Sequence, residues 1–153
     1  MTYCLRFVQT KKEETKIHST NYTDQYLRDL LGSVHTVALV GASPKPHRDS
    51  YRCMQSLLKY GYRVFPVNPR AAGQQILGQH CYAALADLPE PVDMVDIFRA
   101  SDAALAVTQE AISIGAKVVW MQLAVINQQA ATLAEAAGLT VVMDRCPKIE
   151  LEK

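Results

Sequence analysis

The chain has 153 residues, 49% of them apolar and 20% charged, with a formal net charge of +1. That length suits one domain around a single core, and the near-neutral balance excludes a general nucleic-acid binder, whose footprint is strongly basic. No apolar stretch is long enough to span a bilayer, and the start MTYCLRFVQTKKEETK is polar and charged rather than a secretory signal, so a cytoplasmic protein is expected.

Residues 1–21 read as a polar tail or extension, and residues 22–153 as one domain. YTDQYLRDLLGSVH places Tyr26, Leu27, Leu30 and Leu31 at helical spacing, with Gly32 as its stop. TVALV (36–40) is a continuous apolar, β-branched run and predicts a buried strand. SYRCMQSLLKYG (50–61) carries Tyr51, Met54, Leu57 and Leu58 on one face and ends at Gly61, the pattern of an amphipathic helix. YRVFPV (62–67) is the second strand, GQHCYAALADL (78–88) a short helix, and VDMVDIF (92–98) the third strand. SDAALAVTQEAISIG (101–115) is a helix with Ser101 as its N-cap and Gly115 just past its end. KVVWM (117–121) is the fourth strand, NQQAATLAEAAG (127–138) a helix capped by Asn127 and stopped by Gly138, and TVVM (140–143) the fifth strand. Strands that are apolar throughout and alternate with helices predict a parallel, doubly wound Rossmann-like α/β sheet covered on both faces. The expected order is 3-2-1-4-5, with a flavodoxin-like order as the alternative.

In such sheets ligands bind outside the carboxyl ends of the strands, so the residues after each strand are the candidates. Gly41, Ala42, Ser43, Lys45, His47 and Arg48 follow the first, with Arg52 in the next helix. Asn68, Pro69 and Arg70 follow the second, Arg99 the third, Gln122 the fourth, and Asp144, Arg145 and Cys146 the fifth. Four of the five strand ends are thus followed closely by a cation, which points to a ligand carrying several negative charges. Arginine suits phosphate because its planar fork grips two oxygens at once. The dinucleotide fingerprint G-x-G-x-x-G fails, since Ser43 and Pro46 stand at its second and third glycine positions. A snug pyrophosphate over a short glycine turn is therefore not expected. The second strand ends in PVNPR, with no acid to hold ribose hydroxyls. That favours a ribose bearing an extra phosphate, as in NADP or coenzyme A.

Asp93 and Asp96 interrupt an apolar strand and need partners there; for Asp96, loop N–H groups or a cation are expected. His18, His35, His47 and His80 have no metal-ligand spacing, and no nucleophile elbow surrounds Ser43. Cys4, Cys53, Cys81 and Cys146 are scattered and read as free thiols; Arg145 beside Cys146 could lower its pKa. No catalytic constellation emerges.

Taken together, VALVGAS, GYRVFPVNPR, LPEPVDMVDIFR, VVWMQLAV and VVMDRCPKIE resemble the small stand-alone CoA-binding proteins, which are related to the CoA-binding domain of the succinyl-CoA synthetase alpha subunit. The similarity covers roughly residues 22–150. It implies a Rossmann-like fold that binds coenzyme A or an acyl-CoA through its nucleotide half. In that likeness Gly41, Ala42 and Ser43 would contact the phosphates. Val67, Asn68, Pro69 and Arg70 would flank the ADP portion, and Phe98 and Arg99 would border adenine and ribose. Gln122 would lie nearer the pyrophosphate or the pantetheine arm. Ala124 stands where similar proteins often have glycine. The synthetase's phosphorylated-histidine segment is absent, so acid–thiol ligation is not implied. A small NADP-dependent oxidoreductase is the alternative, and both a monomer and a homodimer fit.

Overall fold

The computed structural model describes residues 18–153. Along the chain stand α1 (Asp24–Gly32), β1 (Thr36–Val40), α2 (Asp49–Lys59), β2 (Arg63–Val67), β3 (Gln75–Ile76), β4 (Gln79–His80), β5 (Met94–Ile97), α3 (Ala104–Ser113), β6 (Val118–Met121), α4 (Gln128–Ala136), β7 (Thr140–Val142) and α5 (Pro147–Leu151). β2, β1, β5, β6 and β7 form one parallel sheet in that order. Alternate side chains feed two apolar layers. Ala38, Val95, Ile97, Val119 and Met121 pack under α3 and α4. Val37, Leu39, Met94, Trp120 and Val142 pack under α1, α2 and α5.

The Rossmann-like sheet expected from the β–α alternation is present, but the order 3-2-1-4-5 is not. Counted in the same five strands, the observed order is 2-1-3-4-5, the flavodoxin-like alternative. The outer edge of β2 is already taken: Tyr82 bridges Val67, its N–H donating to the Pro66 carbonyl and its carbonyl accepting from the Asn68 N–H, each at 2.9 Å. The third sequence strand, β5, therefore pairs with the other side of β1, where all four of its residues are buried. The switch point, at which successive crossovers diverge, lies between β1 and β5.

The helix expected over residues 78–88 is also absent. Its start belongs to the hairpin β3–β4, closed by Leu77 and Gly78 at φ 51° and 78°, the two positive values that a type I′ turn requires. Its end is a single 3-10 turn, Leu85–Asp87. Ile76 and Cys81 from this stretch fill core positions, so tertiary burial overrides a local helical pattern. Asn127 caps α4 as expected, its side-chain oxygen accepting from the Ala130 N–H at 2.9 Å. Ser101 does not cap α3. It lies in a 3-10 turn ahead of it, donates to the Ala124 carbonyl at 3.2 Å and accepts from the Ile126 N–H at 3.0 Å. The sequence pattern did not announce α5, a helix that starts on Pro147.

Of the segment read as a tail, residues 1–17 lie outside the described residues, as does Cys4. His18 is tied to α4: its N–H donates to Gln128 at 2.8 Å, and its ring contacts Glu135 at 2.9 Å. Among the described residues no helix is long and apolar enough to cross a membrane.

Candidate functional site

Two adjoining cavities open at the carboxyl ends of the strands, and Asp49 and Phe98 line both. The first, of about 590 Å³, is polar. It brings together Gly41, Ala42, Ser43, Lys45, Arg48, Asn68, Arg70 and Phe98 from the expected set. The second, of about 640 Å³, is walled by Phe98, Leu123, Val125 and Ile149, and takes in Arg52, Arg99, Gln122, Cys146 and Lys148. Val67 and Pro69 line neither.

The floor of the first cavity is set by Gly41. Its φ of 91° is open to glycine, and a Cβ there would stand 2.0 Å from the Phe98 carbonyl oxygen. Glycine is needed because β1 and β5 converge at the switch point, with the Phe98 N–H donating to the Val40 carbonyl at 2.8 Å. Val67 acts through its backbone: its carbonyl accepts from the N–H groups of Gly41 and Ala42 at 2.9 and 3.4 Å. Asn68 stitches the two loops, donating to the Ala42 carbonyl at 2.8 Å and accepting from the Arg70 N–H at 2.9 Å. Pro69 opens the 3-10 turn that sets out Arg70. The Ser43 hydroxyl accepts from the Lys45 N–H at 3.2 Å, which leaves its proton free to donate. The α2 N-terminus has no side-chain cap, so its first N–H groups and the positive end of its dipole remain available beside Ser50 and Arg48. Lys45, Arg48 and Arg70 are exposed cations around this floor. His47 lines neither cavity.

Behind the second cavity lies a buried acid. Asp96 shares a β5 face with Met94 and points under α2 and α5, where it is wholly buried. Its Oδ2 accepts from the Cys53 thiol at 3.8 Å, and its Oδ1 has no partner. Neither the loop N–H groups nor the cation expected for Asp96 is there; its neighbours are sulfur atoms. Asp93, by contrast, accepts from the backbone N–H groups of His35 and Thr36 at 2.9 and 3.2 Å, and the His35 bond leads in holding its carboxyl below the usual range.

The Cys53 thiol, which donates to Asp96, also stands within hydrogen-bonding reach of the sulfur of Cys146, the residue just before α5. This hydrogen bond leads in lowering the Cys146 pKa to about 6, with donors from Gln122 and the backbone of Ile149 and Lys148 adding to it against the opposing effect of burial. The same bond, with burial and the Asp96 charge, pushes the Cys53 thiol up. Burial pushes Asp96 up, and the Cys146 charge adds to it. Arg145 takes no part, contrary to the expectation from its position. Its guanidinium donates to the carbonyls of Asp144 and Thr20 and lies over the Tyr22 ring at 5.3 Å. The Arg145 carbonyl accepts from the Trp120 indole N–H at 2.8 Å. Gln122 is buried, and its Oε1 has no partner.

Beside Gln122, Ala124 adopts φ 64°, a left-handed conformation that costs a non-glycine residue about 1–2 kcal/mol. It is held there by Asp144, whose Oδ1 accepts the Ala124 N–H at 2.7 Å. The residues that sequence reasoning missed are Cys53 and the apolar wall of Leu123 and Ile149. The one signal pointing toward them was Asp96, an acid in an apolar strand.

A doubly wound parallel sheet with a groove at the β1/β5 switch point, where sheets of this kind take their ligands, defines a Rossmann-like α/β domain. The chain belongs to the CoA binding domain family, whose sequence model matches residues 35–152. It is 31% identical over 123 residues to the uncharacterized protein YneT of Bacillus subtilis, a match spanning 80% of this chain and 90% of YneT. It is 34% identical over 88 residues to the alpha subunit of acetate–CoA ligase (ADP-forming) I of Pyrococcus furiosus, which covers 55% of this chain but 19% of that subunit. A solved structure of a hypothetical protein from Pyrococcus horikoshii superposes with a TM-score of 0.82 at 41% identity, covering 87% of this chain and 92% of that one.

Proposed function

We propose that this protein binds coenzyme A or an acyl-CoA along the groove formed by the two cavities. The phosphates and nucleotide lie over the Gly41–Ser43 turn among Lys45, Arg48 and Arg70. The pantetheine arm runs past Phe98 into the apolar cavity. One observation carries this reading: along its length the groove passes from a polar cleft ringed by Lys45, Arg48 and Arg70 to a cavity walled by Phe98, Leu123, Val125 and Ile149 that reaches the Cys146 thiol, the same succession as a polyanionic nucleotide followed by a pantetheine arm ending in sulfur. Family membership supports it. The missing acid at the end of β2 suits a ribose with an additional phosphate, and Arg70 is the residue assigned to that phosphate.

The test is calorimetric titration with CoA, dephospho-CoA, NADP and NAD at fixed salt. CoA is expected to bind, and more tightly than dephospho-CoA. Binding of NADP without CoA would overturn the reading and favour the oxidoreductase alternative.

A further inference from the structure

Four side chains from distant parts of the chain come together beside the apolar cavity: Cys53 from α2 and Asp96 from β5 behind its wall, Gln122 after β6 and Cys146 just before α5 in it. Their exposures are 1%, 0%, 7% and 7%. Two of their polar atoms, Asp96 Oδ1 and Gln122 Oε1, have no partner, although buried polar groups are ordinarily satisfied and leaving one open costs free energy. Gln122 and Cys146 both line the cavity, so a ligand filling it would meet both residues. Among the described residues no cluster of His, Cys, Asp and Glu could hold a metal ion.

We propose that Cys146 and Cys53 form a dithiol that reduces disulfides of coenzyme A seated in the groove. This rests on the CoA-binding reading above and adds a redox reaction to it. In the first step the Cys146 thiolate attacks the CoA sulfur of a CoA–S–S–R disulfide. That S–S bond breaks, R–S⁻ leaves and takes a proton from solvent, and a Cys146–S–S–CoA bond forms. The Cys53 thiol, which donates to Asp96 Oδ2, gives up its proton as its sulfur becomes the nucleophile. In the second step the Cys53 sulfur attacks Cys146, the mixed disulfide breaks, and CoA leaves as a thiolate that receives that proton. Two electrons pass from the dithiol to the substrate disulfide, and the protein keeps a Cys53–Cys146 disulfide. A low-molecular-weight thiol restores the pair by the reverse exchange. Gln122 borders the pantetheine arm in the cavity wall beside Cys146. Cys146 is nearly buried and lines the groove, and Cys53 lies behind it, so the groove is the route to the reacting sulfur and selectivity for CoA follows from access.

The experiment mixes the reduced protein with the symmetrical disulfide of CoA, and in parallel with bis(2-hydroxyethyl) disulfide. Free CoA and intact protein mass are followed, with modification sites assigned by peptide mapping. The protein is expected to release two equivalents of CoA and to acquire a Cys53–Cys146 disulfide, at least roughly tenfold faster than with the small disulfide because the reacting sulfurs are held together. Cys53→Ser is expected to stop at the mixed disulfide on Cys146 after one equivalent, and Cys146→Ser to form neither product. Cys53→Ala carries the same expectation as Cys53→Ser, and circular dichroism identifies which variants are folded. CoA that binds in calorimetry while its disulfide leaves Cys146 unmodified would overturn the redox proposal and leave the binding reading standing. Equal rates with the two disulfides would overturn the assignment of CoA as the substrate. Absence of any CoA binding would overturn both.

Discussion

The cleft over β1 and β2 and the cavity over β5 and β6 share Asp49 and Phe98 yet hold charge in opposite ways. In the first, Lys45, Arg48 and Arg70 are exposed, so water pays most of the solvation of each cation and the loop backbone carries the shape. Behind the second, Asp96 and Cys53 are buried beside Cys146, which lines it, and the protonation of each depends on the other two. An exposed set of cations contributes residue by residue, because screening keeps its members nearly independent. A buried cluster acts as a unit, because low dielectric couples its members. The first arrangement suits holding a polyanion, and the second suits moving a proton between neighbouring sulfurs.

The largest effect is expected where the two regions join. Gly41→Ala forces a Cβ against the Phe98 carbonyl and should cost about 3 kcal/mol or more in urea unfolding, weakening both regions together; a near-neutral result would show that the join yields. Arg70→Ala separates them. CoA affinity should fall by on the order of 1.5–3 kcal/mol while dephospho-CoA changes little, and equal weakening of both would break the assignment of Arg70 to the ribose phosphate.

A smaller effect, confined to a pH window, belongs to the buried cluster. Cys146 is lowered from 9.0 to about 6, so the stability it contributes is present above the unfolded value and is lost as pH falls through 6. Cys146→Ser should flatten the rise of the urea midpoint between those limits. Asp96 has the opposite sign, being raised above 3.8: its contribution is complete below that value and is lost as pH rises through the folded value. Asp96→Asn should remove that decline. The smallest effect is Ala124→Gly, which relieves the left-handed backbone and should raise stability by about 0.5–1 kcal/mol, the relief being partly offset by glycine's larger entropy loss.

The two regions also differ in how far the sequence discloses them. The first is made of residues adjacent in the chain. Gly41 to Arg48 and Asn68 to Arg70 follow strands whose apolar runs are plain, so the topology rule places them at the groove before any coordinates exist. The second joins positions 53, 96, 122 and 146, which lie on or just beside four elements and meet only through the order of the sheet. That order depended on Tyr82 occupying the edge of β2, a pairing between residues whose local pattern suggested a helix. α5 is five residues long, too short for a hydrophobic period to show, so the placement of Cys146 over Cys53 left no trace in the sequence. Asp96 did: an acid amid Met94, Val95 and Ile97 signals a buried partner, though the nature of that partner comes from packing alone.

Trp120, the chain's single tryptophan, is fully buried and donates its indole N–H to the carbonyl of the residue before Cys146. Its fluorescence therefore has one origin and one address. Thiolates quench indole emission, so a change of state at Cys146 alters the brightness of a fluorophore already built in beside it, while a shift of the α5 start moves its wavelength. The proposed ligand binding and thiol oxidation would each be followed in real time, on unlabelled protein, by the light of that one side chain.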